Sequence, residues 1–268
     1  MRLSNALLEF GFESSPVDTS LFVYHDGNSS IFFLIYVDDI LVTSTDSSLI
    51  HSLIIKLQAY FKMKNLGRIG YFLGIQATRD TTGLHLQQSK YVSDLLSRTK
   101  MASAKPVLSA CTIGQKLSSH AGDYHLQAFY DVDWAGDLDD RHSITGYAIF
   151  LGSSLISWFA NKQSVVARFS TEVEYRALAM VIAELYWVRM LLKNLHITIP
   201  TTPTIWRDNS GAIALASNPV FHNRTKHIKV DFHFIREKIA NKDISLQFLG
   251  SSDQQADVFT KGLSSACF

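Results

Sequence analysis

Apolar and polar positions alternate with different periods along the chain. Residues 21–26 ("LFVYHD") and 31–43 ("IFFLIYVDDILVT") carry strand-like apolar runs around the turn-forming "DGNSS", with a second turn expected at Asp38–Asp39. Over 47–61, Leu49, Leu53, Leu57 and Phe61 recur four apart, which predicts an amphipathic helix. Residues 69–88 ("IGYFLGIQATRDTTGLHLQQ") read as a hairpin turning at Asp80 to Gly83, and "KYVSDLLSRTKM" as a helix. Between 102 and 123 small and polar residues dominate without a period, the pattern of a linker.

Beyond the linker, "YHLQAFYDVDWA", "TGYAIFL" and "LISWFA" predict three strands, the last two joined at "GSS". A long helix follows over Thr171 to Leu195, with Leu178, Ile182, Leu185 and Leu192 along one side. Then come a strand ("PTIWRD"), a short helix ("NSGAIALAS"), a helical segment near "VDFHFIREKIA", a strand ("ISLQFL") and a short helix ("DQQADVFTKGL"). Strands interrupted by helices in this order predict an α/β (α+β) fold, a mixed sheet flanked by helices.

Composition narrows the functional classes. Apolar residues make up 47% and charged residues 18%, enough for a packed core and against wholesale disorder. The net charge of +1 selects no partner. Cys111 and Cys267 are the only cysteines, which excludes a disulfide framework and paired zinc-ligand spacing and fits a reducing, intracellular compartment. The first residues, "MRLSNALLEFGFESS", lack the long apolar region of a secretory signal. The apolar run ending at Asp38 is about seven residues long, far short of the roughly 20 needed to span a membrane.

Several acids carry candidate chemistry. Asp38 and Asp39 are either turn residues or a carboxylate pair able to neutralise a divalent cation. In the second half, Asp131 lies in a strand, Glu174 at the start of the long helix, Asp208 at a strand end and Asp257 in the last helix. Strand ends and helix starts of a mixed sheet often converge, which would gather these four at one point. Each also has a structural explanation: Glu174 could complete a capping box with Thr171, Asp208 could cap the helix after it, and Asp257 could lie on the surface.

These residues carry a resemblance. "AFYDVDWAGDLDDRHSITGYAIFLG", "LISWFANKQSVVARFSTEVEYRALA", "IWRDNSGAIALASNPVFHNRTKHIKVDFHFIREKI" and "DQQADVFTKGL" resemble, in order and spacing, the ribonuclease H domain of copia-type long-terminal-repeat retrotransposons. "FFLIYVDDILVTSTD" and "FKMKNLGRIGYFLGIQATRDTTGLHLQQSKYVSDLL" resemble the reverse transcriptase that precedes it in the same Pol polyprotein. The resemblance implies a reverse transcriptase palm remnant over 1–101, a linker over 102–123 in place of a larger connection, and a ribonuclease H domain over 124–268. It also implies that Asp38 and Asp39 belong to a polymerase metal site whose third carboxylate lies upstream, so no DNA synthesis is expected from these residues alone.

For the second half the resemblance implies a ribonuclease H-type endonuclease acting on RNA/DNA hybrids, with Asp131, Glu174, Asp208 and Asp257 holding two Mg²⁺ ions and Mn²⁺ as an alternative. One ion would acidify a water and the other would stabilise the leaving 3′ oxygen. Ser143, Thr145, Gln163 and Asn209 are candidates for minor-groove contacts to 2′-hydroxyls. Residues 221–242 hold six Lys/Arg against two acids, a local charge of +4, so Arg224, Lys226 and Lys229 are candidates for phosphates, unless this is only a solvated helix face. Departures from the family pattern are Tyr130, Phe159, Phe169 and Arg207. The rival expectation is a non-catalytic nucleic-acid-binding or inert relic. No small-molecule substrate or membrane partner is expected, and the product would reside in the cytoplasm, a virus-like particle or the nucleus.

Overall fold

A computed structural model describes residues 3–27, 29–81, 83–98, 125–137, 139–208 and 229–261. The chain divides into two units, Met1–Pro106 and Val107–Phe268. The expected linker and the short helix over "NSGAIALAS" lie outside the described residues, as do Asn209, Arg224 and Lys226.

In the first unit, α1 (Leu3–Glu9) leads into a four-stranded antiparallel sheet of β1 (Glu13–Ser14), β2 (Leu21–Asp26), β3 (Ser29–Tyr36) and β4 (Asp39–Ser44) in sequential order. Along β3, Ile31 and Phe33 alternate into the core, as a half-buried strand requires. Helix α2 (Ser47–Tyr60) begins at the Asp46 N-cap, whose carboxylate accepts the Ser48 amide at 2.8 Å. Its Leu53 and Leu57 pack with Leu7, Phe12, Phe22, Ile31 and Phe33, and Leu49 and Phe61 flank them, so the apolar stripe faces the core as its spacing predicts. The expected hairpin over 69–88 is a three-stranded sheet of β5 (Tyr71–Phe72), β6 (Ile75–Arg79) and β7 (Leu84–Gln87), followed by α3 (Ser89–Arg98). The two-residue β5 is too short to show a period.

In the second unit, β8 (Leu126–Asp133) is the central strand of five. It pairs antiparallel with β9 (Ile144–Leu151), which pairs antiparallel with β10 (Ser154–Lys162). On its other side it pairs parallel with β11 (Thr204–Arg207), which pairs parallel with β12 (Ser245–Phe248). The order is β10-β9-β8-β11-β12, a mixed sheet. Helices α4 (Ser170–Asn194) and α5 (Lys229–Ala240) share a core with it. On α4, Leu178, Ile182, Leu185 and Leu192 are buried with Val181 and Val188 against Leu126, Ala128, Tyr130 and Ile149. Among the described residues, no helix is long and apolar enough to cross a membrane.

Two local expectations change. The last helix is two 3₁₀ turns, Ser251–Asp253 and Gln255–Phe259, closed by i→i+3 bonds such as Asp257 N–H to the Gln254 carbonyl. The T-x-x-E capping box does not form. Phe169 occupies the N-cap of α4 and has no side-chain acceptor, and Thr171 already lies inside the helix.

Candidate metal centre

Three of the four acids meet. Asp131 is on β8, Asp208 immediately follows β11, and Asp257 is in the second 3₁₀ turn; one carboxylate oxygen from each lies within 4.8 Å of the others. The first two are brought together because β8 and β11 are adjacent and parallel, so both strands deliver their carboxyl ends to the same end of the sheet. The third arrives from 126 residues further along than Asp131, through packing of the segment that carries the 3₁₀ turns.

That packing depends on a glycine. Gly146 of β9 faces Asp131 across the ladder. A Cβ there would fall 2.6 Å from Phe259 Cβ and 2.9 Å from Thr260 Cγ2, so only glycine lets the segment lie directly on the strand. Gln254 anchors the same segment, its buried side-chain amide donating to the Tyr130 carbonyl at 3.1 Å while its own oxygen accepts the Ala256 amide. Phe259 stacks on Trp158, ring centroids 5.9 Å apart.

Asp131 is 7% exposed, and its charge is answered by two neighbours. The Thr260 hydroxyl donates to its Oδ2, and the Lys261 ammonium lies 3.4 Å from the same oxygen. Lys261 also pairs with Asp257 Oδ1 at 2.8 Å. Partial burial, then the nearby charges of Asp131 and Asp208, raise the Asp257 carboxyl above the usual carboxylate range, against the Lys261 hydrogen bond. Asp208 accepts from the Ser251 hydroxyl at 3.2 Å.

Glu174 lies on the first turns of α4, outside this group of three. Its charge is felt at Tyr130. Burial pushes the Tyr130 hydroxyl far above the ordinary tyrosine range, the Arg207 guanidinium opposes this, and Glu174 and Asp208 add to it. Tyr130 and Arg207, both departures from the family pattern, are thus buried neighbours beside the acids.

The expected groove contacts fare differently. Ser143 and Thr145 are each 1% exposed and bonded internally: Ser143 Oγ accepts the Ala135 amide at 3.1 Å, and Thr145 Oγ1 accepts from Gln163 Nε2 at 2.9 Å. Gln163 also donates to the Val173 carbonyl. These internal bonds brace the strands beside the site. Polarity in a strand resembles exposure until its partners are known. Lys229 opens α5. In the first unit Val37 and Asp38 form the hairpin turn, while Asp39 pairs with Tyr36 as the first residue of β4. Asp38 and Asp39 are exposed, and among the described residues they join no group of three metal-ligating side chains.

Sequence reasoning missed Gly146, Gln254, Thr260 and Lys261. A lone glycine inside the β9 pattern was a signal of close backbone approach. Thr260 and Lys261, three and four residues after Asp257, gave none that spacing alone could decode.

The description "Reverse transcriptase (RNA-dependent DNA polymerase)" belongs to the family model that matches residues 1–112. Over its whole length the chain is 37% identical to the retrovirus-related Pol polyprotein from transposon RE1 and 36% identical to that from transposon RE2, both of Arabidopsis thaliana. It spans 23% of the length of each. The RE1 alignment runs to 337 positions against 268 residues, so about 69 positions of the relative have no counterpart here. The solved structure of LC11-RNase H1, isolated from compost by a metagenomic approach, overlays 51% of this chain and 93% of its own at 13% identity, with a TM-score of 0.40. The strand order, and not this overlay, defines the sheet.

Proposed function

The chain belongs to the Pol polyprotein family of copia-type retrotransposons, and from that premise we propose that its second unit is a divalent-metal-dependent endonuclease that cuts the RNA strand of RNA/DNA hybrids. The observation that carries this reading is the convergence of Asp131, Asp208 and Asp257, one carboxylate oxygen from each within 4.8 Å of the others, at the carboxyl ends of β8 and β11.

The donor set fits a hard cation. Three carboxylates offer only oxygen, the ligand type Mg²⁺ and Mn²⁺ prefer, with no cysteine or histidine in the group. Asp131, Asp208 and Asp257 would hold one ion, and Glu174 is the acid left over for a second. When bound, the metal would supply an acidified water and neutralise charge on the scissile phosphate. The chain's own contribution is positioning. Burial and the Thr260 hydroxyl hold Asp131 in one orientation, Ser251 orients Asp208, and Gln254 with Gly146 fixes the turn that carries Asp257.

Nucleic-acid contact is supported by the surroundings. Trp134 and Phe169 are about half exposed, and the Trp134 indole donates to the Ala167 carbonyl, tying the loop after β8 to the segment that enters α4. Exposed aromatic faces are sequence-tolerant platforms for bases. Arg224, Lys226 and Lys229 remain the proposed phosphate contacts.

The test is strand choice. A hybrid, a DNA duplex and an RNA duplex of one sequence are incubated with the chain and Mg²⁺. Cutting confined to the RNA of the hybrid is expected; cutting of the DNA strand, or equal cutting of all three, rejects the reading.

A further inference from the structure

We propose that Lys261 is the built-in counterion of the carboxylate group: its ammonium neutralises Asp131 and Asp257, and it must be displaced before a divalent cation can be held there. This rests on the metal-site reading above and adds to it a residue that sets metal affinity.

The geometry supplies the conflict. Nζ lies 2.8 Å from Asp257 Oδ1 and 3.4 Å from Asp131 Oδ2, so one ammonium touches two of the three acids. A cation bonded to those oxygens at roughly 2.1 Å would stand only a few ångströms from Nζ, like charge against like. Asp131 Oδ2 is doubly engaged, since Thr260 donates to the same atom. Three carboxylates this close repel one another strongly without a positive partner, and among the described residues Lys261 is the only one in an ion pair with Asp131 or Asp257. A lysine side chain is ordinarily protonated at neutral pH, so the group facing the two acids is an ammonium.

Displacement has a route. The Lys261 side chain is 39% exposed, and its flexible four-carbon stem can swing the head group into solvent without moving the backbone. Thr260 and Gly146 would keep the turn in place as it leaves. Lys261 would thus stabilise the metal-free site and weaken metal binding.

The experiment measures Mn²⁺ binding by electron paramagnetic resonance in the full chain, with no substrate, for wild type, Lys261→Met, Lys261→Arg and Asp131→Asn. Lys261→Met is expected to bind Mn²⁺ on the order of tenfold more tightly, because a like charge is removed. Lys261→Arg, which keeps the charge, should stay near wild type. In parallel melts, metal-free Lys261→Met should have the lower Tm and the larger rise on adding Mn²⁺. Unchanged or weaker binding by Lys261→Met, beside measurable wild-type binding, overturns the counterion role alone. Absence of binding above the Asp131→Asn background in both proteins overturns the metal-site reading and this inference together.

Discussion

Replacing Gly146 with alanine probes how the third carboxylate reaches the site. The new Cβ would meet Phe259 Cβ at 2.6 Å, Thr260 Cγ2 at 2.9 Å and the Ala256 carbonyl oxygen at 3.3 Å. Carbon atoms rest at roughly 3.5–4.0 Å, so the 3₁₀ turn would have to retreat by about 1 Å. Phe259 cannot absorb this by rotating, because the clash is with its Cβ and its ring is stacked on Trp158. Gly146 does not have a positive φ, so the cost is steric and not one of backbone strain. Overpacking of this kind costs about 1–3 kcal/mol, which urea denaturation would read as a lowered midpoint. The same shift moves Asp257 and Lys261 relative to Asp131, and a misplacement of about 1 Å can cost roughly 10²-fold in rate. Hybrid cleavage should fall by about that factor in protein that remains folded. A Gly146→Ala variant with wild-type stability and wild-type cleavage would show that the turn does not rest on β9 as described.

Other perturbations have defined outcomes. The Tyr130 hydroxyl is buried without a hydrogen-bond partner among the described residues, so Tyr130→Phe should leave stability unchanged or raise it by up to about 1 kcal/mol in urea titrations. Asp137 is drawn down to about 2 by the Lys162 ammonium and by the Asp139 and Asp140 amides. Its ionised form is therefore favoured in the fold, a stabilisation present above the ordinary carboxylate pKa and lost as pH falls toward 2. Carbon-13 NMR should find its midpoint there, and Lys162→Met should move it upward toward 3.8. Val37, at φ 50°, is a β-branched residue in the left-handed region, so Val37→Gly should stabilise the first unit by about 1 kcal/mol, measured by thermal melts.

Much of this architecture is legible in one dimension. The spacing of Leu178, Ile182, Leu185 and Leu192 marks the buried side of α4, and alternation through Ile31 and Phe33 marks β3. Asp131 in a strand, Glu174 at a helix start, Asp208 at a strand end and Asp257 in the last helix are legible as candidate acids; parallel pairing of β8 with β11 brings Asp131 and Asp208 together, and Glu174 stays outside the group of three. The capping-box spacing misleads, because helix entry is set by Phe169 in extended conformation and not by Thr171. The internal partners of Ser143 and Thr145 are not legible, because hydroxyls that satisfy buried neighbours look the same in sequence as hydroxyls that meet a ligand. Contacts such as Thr260 to Asp131 and Gln254 to the Tyr130 carbonyl join residues more than 120 positions apart, a distance no local period encodes.

The most direct measurement is cleavage of an end-labelled RNA/DNA hybrid by the purified chain with Mg²⁺, beside Asp131→Asn. If the three aspartates form the centre of a nuclease, the wild-type chain cuts the RNA strand and Asp131→Asn, folded equally well, does not. Equal cleavage by the two proteins, or none by a well-folded wild type, would contradict it.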